Sequence, residues 1–275
     1  MNKENFTAEK IISTINIEQR FLYSEFLERD VVIDFYLPAD AVYKNDCNLL
    51  LINDGQDLQT MNFGELLDSL VLKKVIRPLL CAGIYCGANR MLEYGTIYSS
   101  DYKGRGSKAG LYSEFILCEL LPFIQTEFNI ISFKEKSFAG FSLGGLSALD
   151  IVWNYPYEFL RAGVFSGSLW WRRHGYDDKN YNAEKDRIMH LQVQKGALRP
   201  WLQFFFECGR YDETADRNNN GIIDSIEDTT DLIAELKKIG YTNNQIAYLE
   251  LKDGKHDIET WKTSFPAFLL WGWGK

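Results

Sequence analysis

The feature that most constrains this fold is a series of six short, continuously apolar runs that follow residue 47. A strand that is buried on both faces of a sheet has such a continuously apolar sequence, because neither face can carry polar side chains. Stretches with the apolar spacing of amphipathic helices lie between the runs. Strands that alternate with helices predict an α/β fold with a mostly parallel sheet and helices on both faces. The runs lie at 48–52, 78–85, 137–140, 162–166, 201–206 and 245–251.

Two segments ahead of these runs add a second kind of strand. Residues 15–23 are β-rich, and residues 30–37 alternate between apolar and polar positions. We expect both to form an antiparallel edge of the sheet. No repeat, low-complexity tract or linker divides the sequence, so a single domain over residues 1–275 is predicted. The helical patterns lie at 63–75, 112–128, 144–154, 229–239 and 258–270.

The composition narrows the functional classes. With 38 acidic and 30 basic residues the chain carries a net charge of −8, which repels a phosphate backbone and argues against nucleic acid as a partner. The apolar stretches are too short to span a bilayer, and the first residues form no signal sequence. The five cysteines lack metal-ligand spacing and are expected to be free thiols in a reducing compartment. We therefore expect a cytoplasmic protein without a membrane partner.

Residues 137–149 combine an apolar strand, a glycine-rich turn and the start of a helix. The turn reads Gly140-x-Ser142-x-Gly144, which matches a nucleophile elbow. In that turn the serine side chain projects from the sheet edge, while the glycines permit a close approach of strand and helix. Ser142 is therefore predicted to be a catalytic nucleophile. The alternative is an ordinary turn in which Ser142 caps the helix.

A serine nucleophile needs a base, and the chain has only three histidines. His256 follows the last apolar run and precedes the last helical pattern, so we expect it at the same sheet edge as Ser142. His174 lies in a loop rich in Trp and Arg, and His190 lies in a mixed polar stretch. We predict that His256 is the base and that the other two are surface or structural histidines.

The acid that orients this histidine is expected after the strand at 201–206, if the chain order is Ser, acid, His. Asp212 in the following loop is the first candidate. It would fix the tautomer of the imidazole and stabilise the imidazolium. Glu213 and Asp216 are alternatives, and either carboxylate also fits a solvated loop or a helix cap.

Two backbone N–H groups are needed to stabilise the oxyanion of an attacked carbonyl. Leu143, directly after the nucleophile, is predicted to supply one. The loop after the first parallel strand is predicted to supply the other through the N–H of Gln56, next to Gly55. A plain Asp-Gly turn at 54–55 is an equally good interpretation of that loop.

Together with their surroundings, these residues resemble the putative-esterase family of α/β-hydrolases. That family includes esterase D-like, feruloyl, acetylxylan and enterochelin (trilactone siderophore) esterases. The resemblance covers most of the chain from about residue 17. The matching segments are 51–57, 89–94, 112–115, 119–124, 139–149, 165–171 and 254–256.

The resemblance implies an α/β-hydrolase fold with a triad of Ser142, Asp212 and His256. It also implies that Arg90 and Glu93 shape the region beside the active site. No cofactor is expected for the catalysis.

The run Ser168-Leu169-Trp170-Trp171 looks most like the enterochelin-esterase side of that family. We expect Trp171, Arg90 and Arg172 to bind the substrate. Residues 170–196 are aromatic, charged and weakly periodic. They are expected to form a cap over the pocket and to decide its specificity.

Residues 216–227 fill the oxygen-ligand positions of an EF-hand calcium loop, with Gly221 at the sixth place. A calcium ion would be structural, because it would hold the loop that carries Asp212. The alternative is an Asn-Gly turn that leads into a helix, since no clear helix precedes residue 216. The predicted ligands are Asp216, Asn218, Asn220, Ile222 through its carbonyl, Asp224 directly or through water, and Glu227.

The sequence thus predicts a serine carboxyl-ester hydrolase that acts on a small-molecule ester through an acyl-enzyme. Siderophore trilactones and carbohydrate-linked esters are the candidate substrates. Two alternatives stay open: an acyltransferase that uses the same triad, and a non-catalytic ligand-binding member of the fold. The sequence makes no prediction of the oligomeric state.

Overall fold

The computed structural model describes residues 13–38 and 47–275. In this part of the chain, eight strands form one sheet. The strands are β1 (Ile15–Ser24), β2 (Arg29–Pro38), β3 (Cys47–Asn53), β4 (Leu79–Ile84), β5 (Phe133–Phe141), β6 (Arg161–Phe165), β7 (Gln203–Tyr211) and β8 (Ile246–Lys255). Their order across the sheet is β1-β2-β4-β3-β5-β6-β7-β8.

The sheet is mixed, and its antiparallel part is confined to one side. β1 pairs with β2 and β2 pairs with β4 in the antiparallel direction. All other neighbouring strands, from β4 across to β8, are parallel. The predicted α/β class and the antiparallel edge are therefore confirmed. Every residue of β3 and β4 is buried, as their continuous apolar runs require.

Three strands are longer than their apolar runs. β5 begins at Phe133 with a charged, partly exposed segment. β7 and β8 continue through exposed residues to Tyr211 and Lys255. Pairing of the backbone with a neighbouring strand extends each strand past its last apolar residue, so a hydrophobic pattern does not mark these ends. Two of the extensions lead directly into Asp212 and His256.

Helices cover both faces of the sheet. They are α1 (Phe63–Leu72), α2 (Arg90–Glu93), α3 (Ala109–Glu114), α4 (Leu121–Glu127), α5 (Leu143–Asn154), α6 (Ala183–Asp186), α7 (Ile188–Gln194), α8 (Asp224–Lys238) and α9 (Ile258–Trp273). A π-helical turn, Phe115–Leu120, joins α3 to α4, so the pattern at 112–128 is helical almost throughout. The short helices α2, α6 and α7 are absent from the predicted set, because segments of this length are too short to show a helical repeat of apolar residues. Helices α6 and α7 lie in the segment 170–196.

Two apolar clusters, one on each face of the sheet, hold the helices in place. Alternate residues of β3 contribute to opposite clusters: Leu49 and Leu51 to one, Leu50 and Ile52 to the other. Helices α4, α5, α7 and α8 pack in the first cluster, and α1 and α9 pack in the second. This layering is what a parallel sheet with two covered faces requires.

The carboxyl ends of the parallel strands meet at one edge of the sheet, where ligands bind in open α/β folds. The loops after β3, β5, β7 and β8 carry Gln56, Ser142, Asp212 and His256 respectively. All four positions therefore lie at the same edge.

Within residues 13–38 and 47–275, no helix combines the length and the apolar character needed to cross a bilayer.

Candidate active site

Ser142 occupies a strained turn between β5 and α5. Its backbone has φ 53° and ψ −119°, a conformation that costs free energy and persists only where surrounding contacts impose it. The turn also needs glycine: a Cβ on Gly140 would lie 2.4 Å from the carbonyl oxygen of Gly144. The Ser142 side chain makes no capping hydrogen bond to α5, so the alternative interpretation as a helix cap is not what the structure shows.

The Ser142 hydroxyl has a neighbour that the sequence did not single out. Its Oγ lies 3.4 Å from the Oγ of Ser168, and the N–H of Ser168 donates to the Ser142 carbonyl at 3.0 Å. Ser168 follows β6, so strand position alone places it at the catalytic edge. The predicted strand order therefore already indicated that Ser168 lies near Ser142.

Two N–H groups at this edge are free to bind an oxyanion. Among the described residues, neither the N–H of Leu143 nor that of Gln56 has a hydrogen-bond acceptor. Leu143 is the first residue of α5, where the helix dipole favours negative charge. The Gln56 side chain accepts a hydrogen bond from the N–H of Cys86 at 3.2 Å, which ties its loop to the end of β4. The assignment of both donors stays a prediction.

Arg90 is held beside this loop by a paired carboxylate. Its Nε and Nη2 each donate to Asp54 at 2.7 Å. Burial lowers the pKa of Arg90, but the hydrogen bonds and charge of Asp54 more than offset this and keep it above the ordinary value. Glu93 is buried and pairs with Arg29, so it anchors α2 to β2. That the two residues shape the region beside the active site stays a prediction.

The predicted acid and base follow neighbouring strands that approach closely near their ends. A Cβ on Gly209 of β7 would lie 2.4 Å from the carbonyl carbon of Gly254 on β8. Only hydrogen fits there, so the strand ends approach and the loops bearing Asp212 and His256 converge. Neither carboxylate oxygen of Asp212 has a hydrogen-bond partner among the described residues.

Trp261 connects the histidine to the nucleophile turn. The His256 ring packs edge-on against Trp261, with ring centroids 5.3 Å apart. Trp261 stacks at 5.0 Å on Phe141, the residue that precedes Ser142. Its indole N–H donates to the Ser166 hydroxyl at 3.0 Å. The sequence analysis did not single out Trp261, because its position on α9 looks like an ordinary core residue.

Charge couples the members of the predicted triad. Burial lowers the pKa of His256, the charge of Asp212 raises it and that of Arg90 lowers it, with a net lowering. Burial raises the pKa of Asp212, and the Ser166 hydroxyl and His256 oppose that shift. A lowered pKa keeps the imidazole neutral at pH 7, as a general base requires.

The hydrogen bonds of the proton relay are not formed in this structure: none joins His256 to the Ser142 hydroxyl, and none joins it to Asp212. Catalytic hydrogen bonds often tighten only in the complex with substrate. The roles of the three residues therefore stay a prediction, which their shared position supports.

The other two histidines have structural partners. The Nε2 of His190 donates to the carbonyl of Asp228 at 2.8 Å, and burial lowers the pKa of His190 to about 3. The Nδ1 of His174 lies 2.8 Å from the Oδ1 of Asp186. Neither contact involves a residue of the catalytic edge.

The alternative acids also have other partners. The carboxylate of Asp216 accepts the N–H groups of Asn220 and Gly221. Burial raises the pKa of Glu213, and the nearby Ser225 opposes that rise.

The prediction that Trp171 contacts substrate is wrong. Trp171 has no exposed surface, its indole N–H donates to the carbonyl of Ser99, and its ring packs against Gly95 and Gly106. Of two adjacent tryptophans after β6, the sequence pattern cannot say which one faces the core. Trp170 is the one that lines a cavity.

Residues 216–227 form a compact turn ahead of α8, but their oxygens bind one another and Arg217. The Oε1 of Glu227 accepts from the side-chain amides of Asn218 and Asn220 at 2.6 and 2.9 Å. Its Oε2 accepts from Arg217 at 2.9 Å. Among the described residues, no group of three or more His, Cys, Asp and Glu side chains is placed to hold a metal ion.

The remaining predicted ligands are arranged in the same way. Asp224 is buried and accepts the N–H of Arg217 at 2.8 Å. The N–H of Ile222 donates to the side chain of Asn220. The positive charge beside Glu227 is the Arg217 guanidinium. In this arrangement the oxygen atoms of these residues do not form the coordination shell of a calcium ion. The ion stays a prediction of the motif.

The comparisons with known proteins agree with this architecture. The family described as putative esterase matches residues 24–271. A curated relative, the uncharacterized protein YbbA of Bacillus subtilis (strain 168), is 25% identical over 248 residues, which cover 87% of this chain and 91% of that protein.

Solved structures share the fold. The enterobactin esterase FES of Shigella flexneri has a TM-score of 0.68 at 19% identity, with 94% of this chain and 59% of that chain covered. The BES protein of Bacillus cereus has a TM-score of 0.66 at 18% identity, with 98% of each chain covered. This chain therefore spans about three fifths of the length of FES. At these identities the likeness shows the α/β-hydrolase fold.

Since the family match runs through nearly all of the sequence, the chain belongs to the putative esterase family of hydrolases.

Proposed function

We propose that this protein is a serine esterase that cleaves carboxylic esters through an acyl-enzyme on Ser142. The observation that carries the proposal is the Ser142 turn. A strained φ of 53° holds Ser142 in a sharp turn after β5. The same sheet edge carries Leu143 and Gln56, whose N–H groups have no acceptor among the described residues. Strain of this kind is retained where a function depends on it.

In the first half of the reaction His256 takes the proton of Ser142 as its oxygen attacks the ester carbonyl. The N–H groups of Leu143 and Gln56 stabilise the oxyanion. Asp212 stabilises the imidazolium, which then gives its proton to the departing alkoxide and releases the alcohol.

In the second half a water molecule loses a proton to His256 and attacks the acyl carbonyl. The tetrahedral intermediate collapses, Ser142 leaves and recovers the proton from the imidazolium, and the carboxylic acid departs. The balance of atoms is therefore one ester and one water to one alcohol and one acid.

Replacement of the nucleophile tests the proposal. Ser142→Ala is expected to lower kcat for a p-nitrophenyl ester by at least about 10⁴-fold, because the remaining groups no longer act as a unit. Ser147→Ala, at a buried serine on α5, is the matched control. A fluorophosphonate probe should label the wild type and the control but not Ser142→Ala. Unchanged hydrolysis by Ser142→Ala would refute the mechanism, and an unlabelled wild type would favour a non-catalytic ligand-binding protein.

For the substrate, we propose a siderophore trilactone or a carbohydrate-linked ester. The support is that one protein of this fold is an enterobactin esterase. A panel of trilactone, feruloyl, acetyl-sugar and p-nitrophenyl esters separates these classes. Acylated product in place of free acid, after addition of glycerol or a sugar, would identify an acyltransferase instead.

A further inference from the structure

A cavity of about 240 Å³ lies next to the catalytic edge and has no part in the chemistry proposed above. Two of its lining residues are close along the chain to residues of that edge: Trp170 comes two residues after Ser168, and Glu213 directly follows Asp212. Three aromatic side chains, Tyr102, Trp170 and Tyr176, form part of its wall.

Arg172 in this wall is a buried cation that has aromatic neighbours but, among the described residues, no carboxylate partner. Its side chain is only 9% exposed, and its guanidinium lies 3.5 Å from the centre of the Tyr176 ring. Among the described residues its hydrogen bonding is one long contact of 3.4 Å to the carbonyl of Trp170, and its Nε has no acceptor. A buried donor without an acceptor costs free energy, and the aromatic rings around Arg172 do not supply an acceptor in the plane of its Nε–H.

The cavity lining carries three cations, Lys103, Arg105 and Arg172, against two carboxylates, Glu213 and Asp224. Lys103 is exposed and packs over the Tyr102 ring, while Arg105 is neutralised by Asp101. Of the two lining carboxylates, Asp224 accepts from the backbone N–H of Arg217. Burial raises the pKa of the other carboxylate, Glu213.

We propose that this cavity is a carboxylate subsite, in which Arg172 and Lys103 bind an acidic group carried by the ester substrate. The inference rests on the proposed function, because the substrate must place its ester group at Ser142 and its acidic group in the cavity. A guanidinium binds a carboxylate through two parallel hydrogen bonds. The aromatic walls of Trp170 and Tyr176 cover the apolar part of the same group. Among the esters that Ser142 cleaves, the subsite thus favours those that carry a free carboxylate, which a closed trilactone lacks and a linear ester can have.

Two matched pairs of esters test this preference. On the acyl side, mono-p-nitrophenyl glutarate is compared with p-nitrophenyl pentanoate. On the alcohol side, 4-carboxyphenyl acetate is compared with 4-carbamoylphenyl acetate. We expect kcat/KM to be about tenfold higher for the charged member of one pair, mainly through KM. Equal kcat/KM values within both pairs would overturn the proposal.

Variants at the two cations connect the preference to the cavity. Arg172→Met keeps an unbranched stem over Tyr176 but removes the charge, so the ratio of charged to neutral kcat/KM is expected to fall about tenfold. Lys103→Gln, at an exposed position, should lower the ratio in the same direction and covers the case in which Arg172→Met does not fold. Arg173→Met is the matched control, because Arg173 is exposed and outside the cavity lining. An unchanged ratio in Lys103→Gln and in folded Arg172→Met would contradict the assignment.

A binding measurement separates this inference from the proposed mechanism. Calorimetric titration of Ser142→Ala with glutarate and with 4-hydroxybenzoate, the acidic products of the charged esters, needs no turnover. Binding that a second change, Arg172→Met, weakens about tenfold would support the subsite even if Ser142 were not the nucleophile. Failure of both anions to bind, while the wild type hydrolyses neutral esters, would overturn the subsite alone.

Discussion

Among single residues, Glu207 on β7 shows how burial changes a side chain next to the site. Glu207 is fully buried, and neither of its carboxyl oxygens has a hydrogen-bond partner among the described residues. Burial and the charge of Asp212 raise the pKa of Glu207 to about 8. The carboxyl group is therefore neutral at pH 7 and adds no second negative charge beneath the predicted triad acid.

Glu207→Gln should gain stability relative to the wild type as the pH rises. Between pH 4.5 and 8 the unfolded chain loses this proton while the folded chain keeps it. The group's contribution to the free energy of unfolding therefore falls by roughly 1.4 kcal/mol per pH unit, and glutamine has no such loss. Urea denaturation at pH 5, 6, 7 and 8 measures the difference, with the exposed Glu65→Gln as control. Parallel curves for wild type and Glu207→Gln would contradict the burial argument.

His256 sets the acid limb of the expected pH profile. Because its pKa is lowered from 6.5, the midpoint of the acid limb of kcat/KM should lie below pH 6.5, where the imidazole becomes protonated. Asp212→Asn removes the charge that raises the pKa of His256, so the limb should move to lower pH while kcat falls. Glu259→Gln makes the same change of charge on α9 and is the control. A limb that does not move in Asp212→Asn would mean that another acid faces the imidazole.

At the scale of elements, the junction of β5 and α5 depends on one backbone contact. Gly140→Ala places a Cβ against the backbone of Gly144, so we expect a loss of about 2 kcal/mol in unfolding free energy. Gly110→Ala is a control of opposite sign. Gly110 lies in α3 with nothing closer than 4.0 Å to a new Cβ, and alanine there should stabilise by about 0.5–1 kcal/mol. Urea denaturation measures both, and equal effects would contradict the contact.

Most elements were predictable because their signals are local. The apolar runs at 48–52 and 78–85 match β3 and β4 closely. A strand that is buried on both faces needs an apolar residue at nearly every position, so the sequence shows where it lies. Strand ends at Tyr211 and Lys255 were not predictable in this way. They extend through polar residues, whose pairing partners lie on another strand.

At the scale of the whole molecule, buried ion pairs join the segment 170–196 to α8. The Oδ1 of Asp228 accepts from Arg187 at 2.8 Å and from Arg217 at 2.6 Å. Asp228 is buried, so its loss leaves two guanidinium groups with one partner fewer. The same Arg187 also pairs at 2.8 Å with Asp231, which is 46% exposed.

Asp228→Ala is expected to lower the free energy of unfolding by about 3 kcal/mol, because a buried pair loses one partner. Asp231→Ala, on the same helix and with the same arginine, should cost less than about 1 kcal/mol, since water screens an exposed pair. Thermal and urea denaturation measure both changes. Similar costs for the two variants would show that burial does not decide the strength of these pairs.

The sequence by itself determined the α/β class, the antiparallel edge and the turn at Ser142, because these depend on residues that are neighbours along the chain. The glycines at 140 and 144 permit the turn at Ser142, and each apolar run predicts one strand. Both signals lie within a few residues along the chain. Only the tertiary structure decided that Trp171 is buried, that Arg217 pairs with Glu227 and that Trp261 links His256 to Phe141. Trp171 and Trp261 each contact a residue that is far away along the chain, Ser99 and Phe141 respectively. Arg217 and Glu227 are close along the chain, but their contact depends on the direction of the two side chains. No local pattern carries that information.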